Sequence, residues 1–235
     1  FPHYGQAVPL SGRYQAVSVG LYHSCALNMD GRVRCWGRDQ ASLVIPEERF
    51  AKVSAGDRNS CGIRGDGRLQ CWGEAGSLLR DVPDGIFSDL SLGGDHACAL
   101  STGGALRCWG DSKPKFASEH EEPLLEISSG RRSLCGRSAK GQLICFDSAN
   151  LELPGEEITT LDAGGHMACG ITNHKGIRCW GYGVEGYSPP PSGLYQKVDV
   201  GLHHACGLTI DGRLRCWGHE KLRLGELDVP KPEDS

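Results

Sequence analysis

Twelve cysteines and nine histidines are the residues of this chain most able to do chemistry. The cysteines fall as Cys25/Cys35, Cys61/Cys71, Cys98/Cys108, Cys135/Cys145, Cys169/Cys179 and Cys206/Cys216, ten apart in every pair. Zinc sites draw on closer pairs such as Cys-x-x-Cys, and no two cysteines here are closer than ten residues. A free thiol nucleophile is not expected where every cysteine has a symmetrical mate. The expected chemistry is oxidation to six disulfides, which places the chain in an oxidising, secreted or extracellular setting.

The histidines are less regular. His23, His96 and His204 share one slot, two residues before the first cysteine of a pair. A ring of histidines could bind metal or sense pH. Neighbouring units are too far apart to share an ion easily, so a structural role between units is expected, with no metal site. The slot one residue earlier varies: Tyr22, Arg58, Asp95, Arg132, His166 and His203. Before that stand Leu21, Asp57, Gly94, Arg131, Gly165 and Leu202. Variable side chains at fixed loop positions on a constant frame are how repeat scaffolds present a binding face. Tyr22, Arg58, Asp95, Arg132, His166 and His203 are therefore the candidate binding residues. No Gly-x-Ser-x-Gly, His-Glu-x-x-His or phosphate-binding glycine loop occurs, so no catalytic residue is assigned.

These residues need elements to hold them, and a repeat supplies the elements. First cysteines recur at spacings of 36, 37, 37, 34 and 37. Five residues before each stands a glycine: Gly20, Gly56, Gly93, Gly130, Gly164 and Gly201. After each second cysteine comes Trp36, Trp72, Trp109, Phe146, Trp180 or Trp217, a slot that holds all five tryptophans and whose large rings suit a core between units. Asp30-Gly31, Asp66-Gly67, Gly103-Gly104, Lys140-Gly141 and Asp211-Gly212 are hairpin turns between apolar runs. In the fifth repeat, Asn173-His174-Lys175-Gly176, the glycine moves one place later. A three-residue loop between Asn28 and Arg32 sets Cys25 opposite Cys35, so each disulfide is expected within its own hairpin. Val17-Ser18-Val19, Val53-Ser54-Ala55, Leu90-Ser91-Leu92, Ile127-Ser128-Ser129, Leu161-Asp162-Ala163 and Val198-Asp199-Val200 alternate with period two and read as strands. A second, less regular pair of strands is expected in each connection between hairpins.

All-β units of this length repeated around a ring make a β-propeller. The reading is one domain over residues 1–235, of six blades. The repeats run approximately 14–50, 51–87, 88–123, 124–157, 158–194 and 195–230. Val8-Pro9 and Val229-Pro230 mirror Val82-Pro83, so the terminal segments are expected to meet and close the ring. Lys plus Arg is 25 against 29 Asp plus Glu, a net charge of −4, which gives no reason to expect nucleic acid. The apolar runs are too short for membrane insertion. Starting at Phe1 without a signal-like stretch, the chain reads as a mature protein or an excised ectodomain.

Gly20-Leu21-Tyr22-His23-Ser24-Cys25-Ala26-Leu27, then Asp30-Gly31-Arg32-Val33 and Cys35-Trp36-Gly37, resembles the regulator-of-chromosome-condensation repeat. Gly93–Leu100 with Cys108-Trp109-Gly110, and Gly201–Leu208 with Cys216-Trp217-Gly218, resemble it equally; the fourth repeat, with Arg137 and Phe146, departs. The short, cysteine-bearing repeats look similar to the extracellular propellers of crinkly-type plant receptor kinases and to secreted bacterial inhibitor propellers. That resemblance implies the fold, with seven blades as the alternative to six, and leaves function to the sites. The expectation is a non-enzymatic recognition protein whose loop face or central channel binds a protein, a peptide or a glycan, with no cofactor. The alternatives are a carrier of a small apolar ligand or pigment and a carbohydrate-active enzyme.

Overall fold

The computed structural model describes residues 12–37, 45–74, 76–111, 122–131, 133–146, 153–165, 167–181, 188–202 and 204–218. They form six three-stranded antiparallel sheets, one per repeat, each in the order of the chain. The first holds β1 (Tyr14–Val19), β2 (His23–Asn28) and β3 (Val33–Gly37), and the second β4 (Phe50–Ala55), β5 (Asn59–Arg64) and β6 (Leu69–Gly73). The third holds β7 (Phe87–Leu92), β8 (His96–Ser101) and β9 (Leu106–Gly110), and the fourth β10 (Leu124–Ser129), β11 (Leu134–Ser138) and β12 (Leu143–Phe146). The fifth holds β13 (Ile158–Gly164), β14 (Met167–Thr172) and β15 (Ile177–Gly181), and the sixth β16 (Tyr195–Val200), β17 (His204–Thr209) and β18 (Leu214–Gly218).

The hairpin register is the one that the cysteine spacing demands. Asn28 N–H bonds to Arg32 O at 2.9 Å, and Cys25 then faces Cys35 across β2 and β3. All six disulfides form within their hairpins, with Cα atoms 4.0–4.1 Å apart. Cys25 is joined to Cys35, Cys61 to Cys71 and Cys98 to Cys108. Cys135 is joined to Cys145, Cys169 to Cys179 and Cys206 to Cys216. In five of the six bridges the two ends are not equivalent, a difference that the even spacing did not show; Cys206 and Cys216 are both half-buried. Cys25, Cys61, Cys98, Cys135 and Cys169, on the middle strands, are buried. Cys35, Cys71, Cys108, Cys145, Cys179 and Cys216, on the third strands, are half-buried, because the third strand has a neighbour in its sheet on one side only. Each bridge closes a loop of about eleven residues, worth at most about 3 kcal/mol through the unfolded chain.

The turn glycines Gly31, Gly67, Gly104, Gly141 and Gly212 sit at φ between 75° and 82°. The fifth hairpin keeps this geometry without its glycine: Lys175 takes the left-handed conformation at φ 64°, and its N–H bonds to Thr172 O at 2.9 Å. The shifted glycine therefore alters the strain in the turn and not the register.

The connections differ from expectation. Each sheet gains one strand from them, and among the described residues no fourth strand joins any sheet. Each connection carries only one alternating apolar stretch, so only one strand can bury a face. The third blade is preceded by a four-residue helix, α1 (Ser77–Arg80), whose buried Leu78 offers its carbonyl to Trp109 Nε1–H at 3.1 Å.

Successive blades pack in one recurrent way. The disulfide face of one blade receives the first strand and the tryptophan of the next, as Cys25, Leu27 and Val33 receive Phe50, Val53, Ala55 and Trp72. The same contact joins Met167, Cys169, Ile171 and Ile177 to Tyr195, Val200 and Trp217. A hydrogen bond to the fifth residue of the first strand latches five of these pairs. Ser18 Oγ accepts from Ala55 N–H at 2.9 Å, Ser54 Oγ from Leu92 at 3.0 Å and Ser91 Oγ from Ser129 at 2.8 Å. Ser128 Oγ accepts from Ala163 N–H at 2.9 Å and Asp162 Oδ2 from Val200 N–H at 2.7 Å. A buried amide left without an acceptor costs about 1–3 kcal/mol, so the latch position favours small polar residues. The terminal segments expected to close the ring lie outside the described residues.

Candidate functional site

The loops joining the first and second strands of each blade converge at one end of the propeller. Their glycines make that convergence possible. A Cβ at Gly20 would lie 1.9 Å from the carbonyl oxygen of Gly56, and one at Gly56 2.6 Å from that of Gly93. Gly93 meets Gly130 O at 2.5 Å, Gly130 meets Gly164 O at 2.8 Å and Gly164 meets Gly201 O at 2.3 Å. No side chain fits such an approach of backbone to backbone.

The residues after these glycines cover that end. Arg58 spans the first two blades: its guanidinium stands 5.8 Å from the Tyr22 ring and bonds Glu74 at 3.0 and 3.3 Å. Arg131, on the fourth blade, reaches back across the third to Asp57 on the second, at 3.8 Å. Gly94 leaves the space for that bridge, since a Cβ there would lie 3.2 Å from Arg131 Cγ and 3.4 Å from Asp57 Oδ2. Arg131 N–H also bonds Gly165 O on the fifth blade at 3.1 Å. Burial pushes the Asp57 carboxyl above its usual range; Arg131 and Arg58 oppose this, and the Asp95 charge adds to it. Asp95 is exposed on the third loop and accepts Asp111 N–H on its carbonyl at 3.0 Å. The result is a mixed-charge patch on a rigid base, with Arg58, Glu74, Asp95 and Arg131 open to solvent.

Of the sequence candidates, Tyr22 and Arg58 come together and Asp95 stands on the neighbouring loop. Arg132, His166 and His203 lie outside the described residues. Asp57, Arg131 and Glu74 complete the patch and were not among the candidates. Opposite charges two repeats apart in one slot, with a glycine between, were the signal for Asp57 and Arg131.

The cysteines stand apart from this patch, in the bodies of the blades. Their half-buried ends still pack inward: Cys71 lies against the core between the second and third blades, and Cys179 against that between the fifth and sixth. Cys145 lies against the core between the fourth and fifth, where its Sγ accepts Trp180 Nε1–H at 3.2 Å. Among the described residues no cysteine is free, so the sulfurs hold the scaffold and offer no thiol for chemistry.

In the shared histidine slot the side chains of His23 and His96 are buried, and His23 reaches the next blade. His23 Nε2 lies 2.7 Å from Ser60 Oγ on the next blade, and burial lowers its pKa. His96 is fully buried, with burial taking its pKa down to about 4 against the pull of Asp95. Among the described residues no three potential ligands cluster to hold a metal. Four of the five tryptophans are core: Trp72, Trp109, Trp180 and Trp217 are buried between blades, and Trp36 is half-buried. At the opposite end, an open cleft of about 540 Å³ is lined by Glu156, Asn173, His174, Arg178 and Leu194 among others.

No curated protein matches this chain by sequence. The profile of the Regulator of chromosome condensation (RCC1) repeat matches residues 14–41, 50–77, 87–113 and 195–221, which leaves out the two repeats that carry Phe146 and Lys175. Among solved structures, the chain is similar to the CRINKLY WD40 ectodomain of the Arabidopsis thaliana receptor kinase ACR4. They share 26% identity at a TM-score of 0.76, over 89% of this chain and 81% of that one. The ectodomain of the Physcomitrella patens receptor kinase CR4 follows at 22% identity and TM-score 0.71, over 90% of this chain and 62% of that one. Prp20p from Saccharomyces cerevisiae shares the fold at 15% identity and TM-score 0.71, over 86% and 71%. With one disulfide in each of six three-stranded blades, the chain is a β-propeller of regulator-of-chromosome-condensation-like repeats of the disulfide-stapled kind.

Proposed function

We propose that this chain is an extracellular recognition module that binds a protein or peptide through the loops at the glycine end of the propeller. The observation that carries this reading is the mixed-charge patch of Tyr22, Asp57, Arg58, Glu74, Asp95 and Arg131 on a base of packed glycines. A patch that alternates sign over several loops suits a polar protein surface, and Tyr and Arg are the anchors such interfaces favour. Six disulfides support an oxidising compartment. Likeness to a receptor-kinase ectodomain supports the same setting. Among the described residues no helix is long and apolar enough to cross a membrane.

The test is a multivalent form of the chain screened against an array of extracellular proteins and peptides. Hits are then compared for the Arg58→Glu/Arg131→Glu variant and for Arg178→Glu, which alters the opposite end. The proposal expects binding to fall at least about tenfold in the first variant and to persist in the second, since truncating an interface anchor costs about 2 kcal/mol or more. Binding indifferent to the double reversal, or lost with Arg178→Glu alone, overturns the assignment.

A further inference from the structure

Four Asp-Gly dipeptides occur in the chain: Asp30-Gly31, Asp66-Gly67, Asp84-Gly85 and Asp211-Gly212. An aspartate followed by glycine can react with its own main chain, because no side chain on the glycine shields the amide nitrogen. All four aspartates are exposed, so access to water does not set them apart. The glycine amide does. In the three hairpin turns it is committed: Gly31 N–H bonds Asn28 O at 3.0 Å, Gly67 N–H bonds Arg64 O at 2.9 Å and Gly212 N–H bonds Thr209 O at 3.0 Å. Attack by such a nitrogen must first break the bond that closes the turn. Two of the carboxylates are held as well. Asp66 Oδ1 accepts Arg68 N–H at 3.1 Å, and Asp211 Oδ1 accepts the Thr209 hydroxyl.

Asp84-Gly85 lies in the connection between α1 and β7, outside any helix or strand. Among the described residues no hydrogen bond uses the Gly85 N–H, and no donor or cation holds the Asp84 carboxylate. The fold nonetheless requires the glycine. Gly85 stands at φ 140°, a conformation open to glycine alone. A Cβ there would also press on the Phe87 ring at 3.3 Å. The backbone therefore fixes the reactive partner beside Asp84 and leaves its nitrogen free.

We propose that Asp84 is a self-modification site, where the Gly85 nitrogen converts the aspartate to isoaspartate. The nitrogen gives up its proton and bonds to Asp84 Cγ. The Cγ–OH bond of the protonated carboxyl breaks, and one water leaves. The resulting five-membered succinimide then takes one water back. Opening at the Cγ carbonyl restores aspartate. Opening at the main-chain carbonyl leaves Cγ bonded to Gly85 and frees the former main-chain carbonyl of Asp84 as a carboxylate. The water lost equals the water gained and nothing is oxidised or reduced, so mass and net charge stay the same. The main chain gains one carbon just ahead of Phe87, whose N–H bonds Gly67 O at 2.8 Å at the border of the second and third blades. This site is separate from the loop patch and does not rest on it.

The test holds the full, disulfide-intact chain at mildly acidic pH for several weeks and then digests it. Electron-transfer fragmentation, which cleaves beside the extra main-chain carbon, reads isoaspartate in each Asp-Gly peptide. Isoaspartate at Asp84 should accumulate at least about fivefold faster than at Asp30, Asp66 or Asp211, the factor set by one backbone hydrogen bond. In the reduced chain, unfolded in urea, the four sites should react at similar rates. Asp84→Glu, which would need a six-membered ring, should remove the product at this position. Equal rates at the four sites of the folded chain overturn the inference, as does the absence of isoaspartate at Asp84. A preference for Asp84 that survives unfolding assigns the reactivity to the neighbouring sequence and equally overturns it.

Discussion

The latch between the fifth and sixth blades is the one made by a carboxylate, and this makes the fold sensitive to pH. Asp162 keeps some contact with solvent, yet Oδ2 takes Val200 N–H at 2.7 Å and Oδ1 takes the Ser128 hydroxyl at 2.9 Å. Burial, reinforced by the Asp199 charge, pushes its pKa up to about 7, against the pull of these hydrogen bonds. In the unfolded chain the same group titrates near 3.8. Between those values the native state holds the proton and the unfolded state has released it. Stability therefore falls as pH rises from about 4 to about 7 and levels off above. The shift of about three units sets a ceiling near 4 kcal/mol, at about 1.4 kcal/mol per unit, and the residual solvent contact brings the effect below it. Asp162→Asn keeps an oxygen for Val200 and carries no charge, so its stability should be flatter over this range. Urea unfolding of the disulfide-intact protein at pH 4.5, 6 and 8 measures this. The gap between variant and wild type should move in the variant's favour by about 1 kcal/mol or more from pH 4.5 to 8. Asp199→Asn should give a smaller change of the same sign. Parallel curves for wild type and Asp162→Asn would refute the assignment of the proton to this latch.

Three further outcomes follow from the fold. Lys175→Gly should stabilise the chain by about 1 kcal/mol, because glycine enters the left-handed turn without a Cβ penalty; a loss in thermal midpoint would show that the lysine side chain outweighs its backbone. Ser54→Ala leaves the Leu92 amide without its acceptor between the second and third blades and should cost about 1–3 kcal/mol in urea unfolding. Less than about 0.5 kcal/mol would mean that water replaces the hydroxyl. Non-reducing peptide mapping should recover six linked peptides, each within one repeat, and any link between repeats contradicts the hairpin register.

Much of the fold was legible because local rules fix it. A spacing of ten between cysteines, with a turn dipeptide midway, permits one hairpin register, and the period of two in Leu90-Ser91-Leu92 marks the strand that precedes the hairpin. The pairing of Cys61 with Cys71, Cys135 with Cys145 and Cys169 with Cys179 was legible for that reason. The shallower burial of Cys71, Cys145 and Cys179 was not, because it depends on which strand ends the sheet. The serine in the middle of the alternating stretches was visible too. Its role was not, because the partner amide sits on another blade some 38 residues away. Lys175 read as a displaced turn, since sequence shows the missing glycine and not the backbone that tolerates a lysine in its place. The loop patch was half visible. Tyr22 and Arg58 stood out as variable anchors, whereas the bridge from Asp57 to Arg131 depends on a gap at Gly94 that only the packing of three blades reveals.

Every cross-link closes on its own hairpin, so no covalent bond other than the backbone joins one blade to the next. Pulled by its two ends, the chain would come apart as a series of short steps. Each released unit would yield less length than its residues allow, because the segment between its cysteines stays clasped. At about 3.5 Å per extended residue, the clasp withholds about 35 Å from every unit, less the small span of the bridge itself. Reducing agent would lengthen each step without changing their number, so the sulfurs act as stops on extension and leave the order of rupture to the latches.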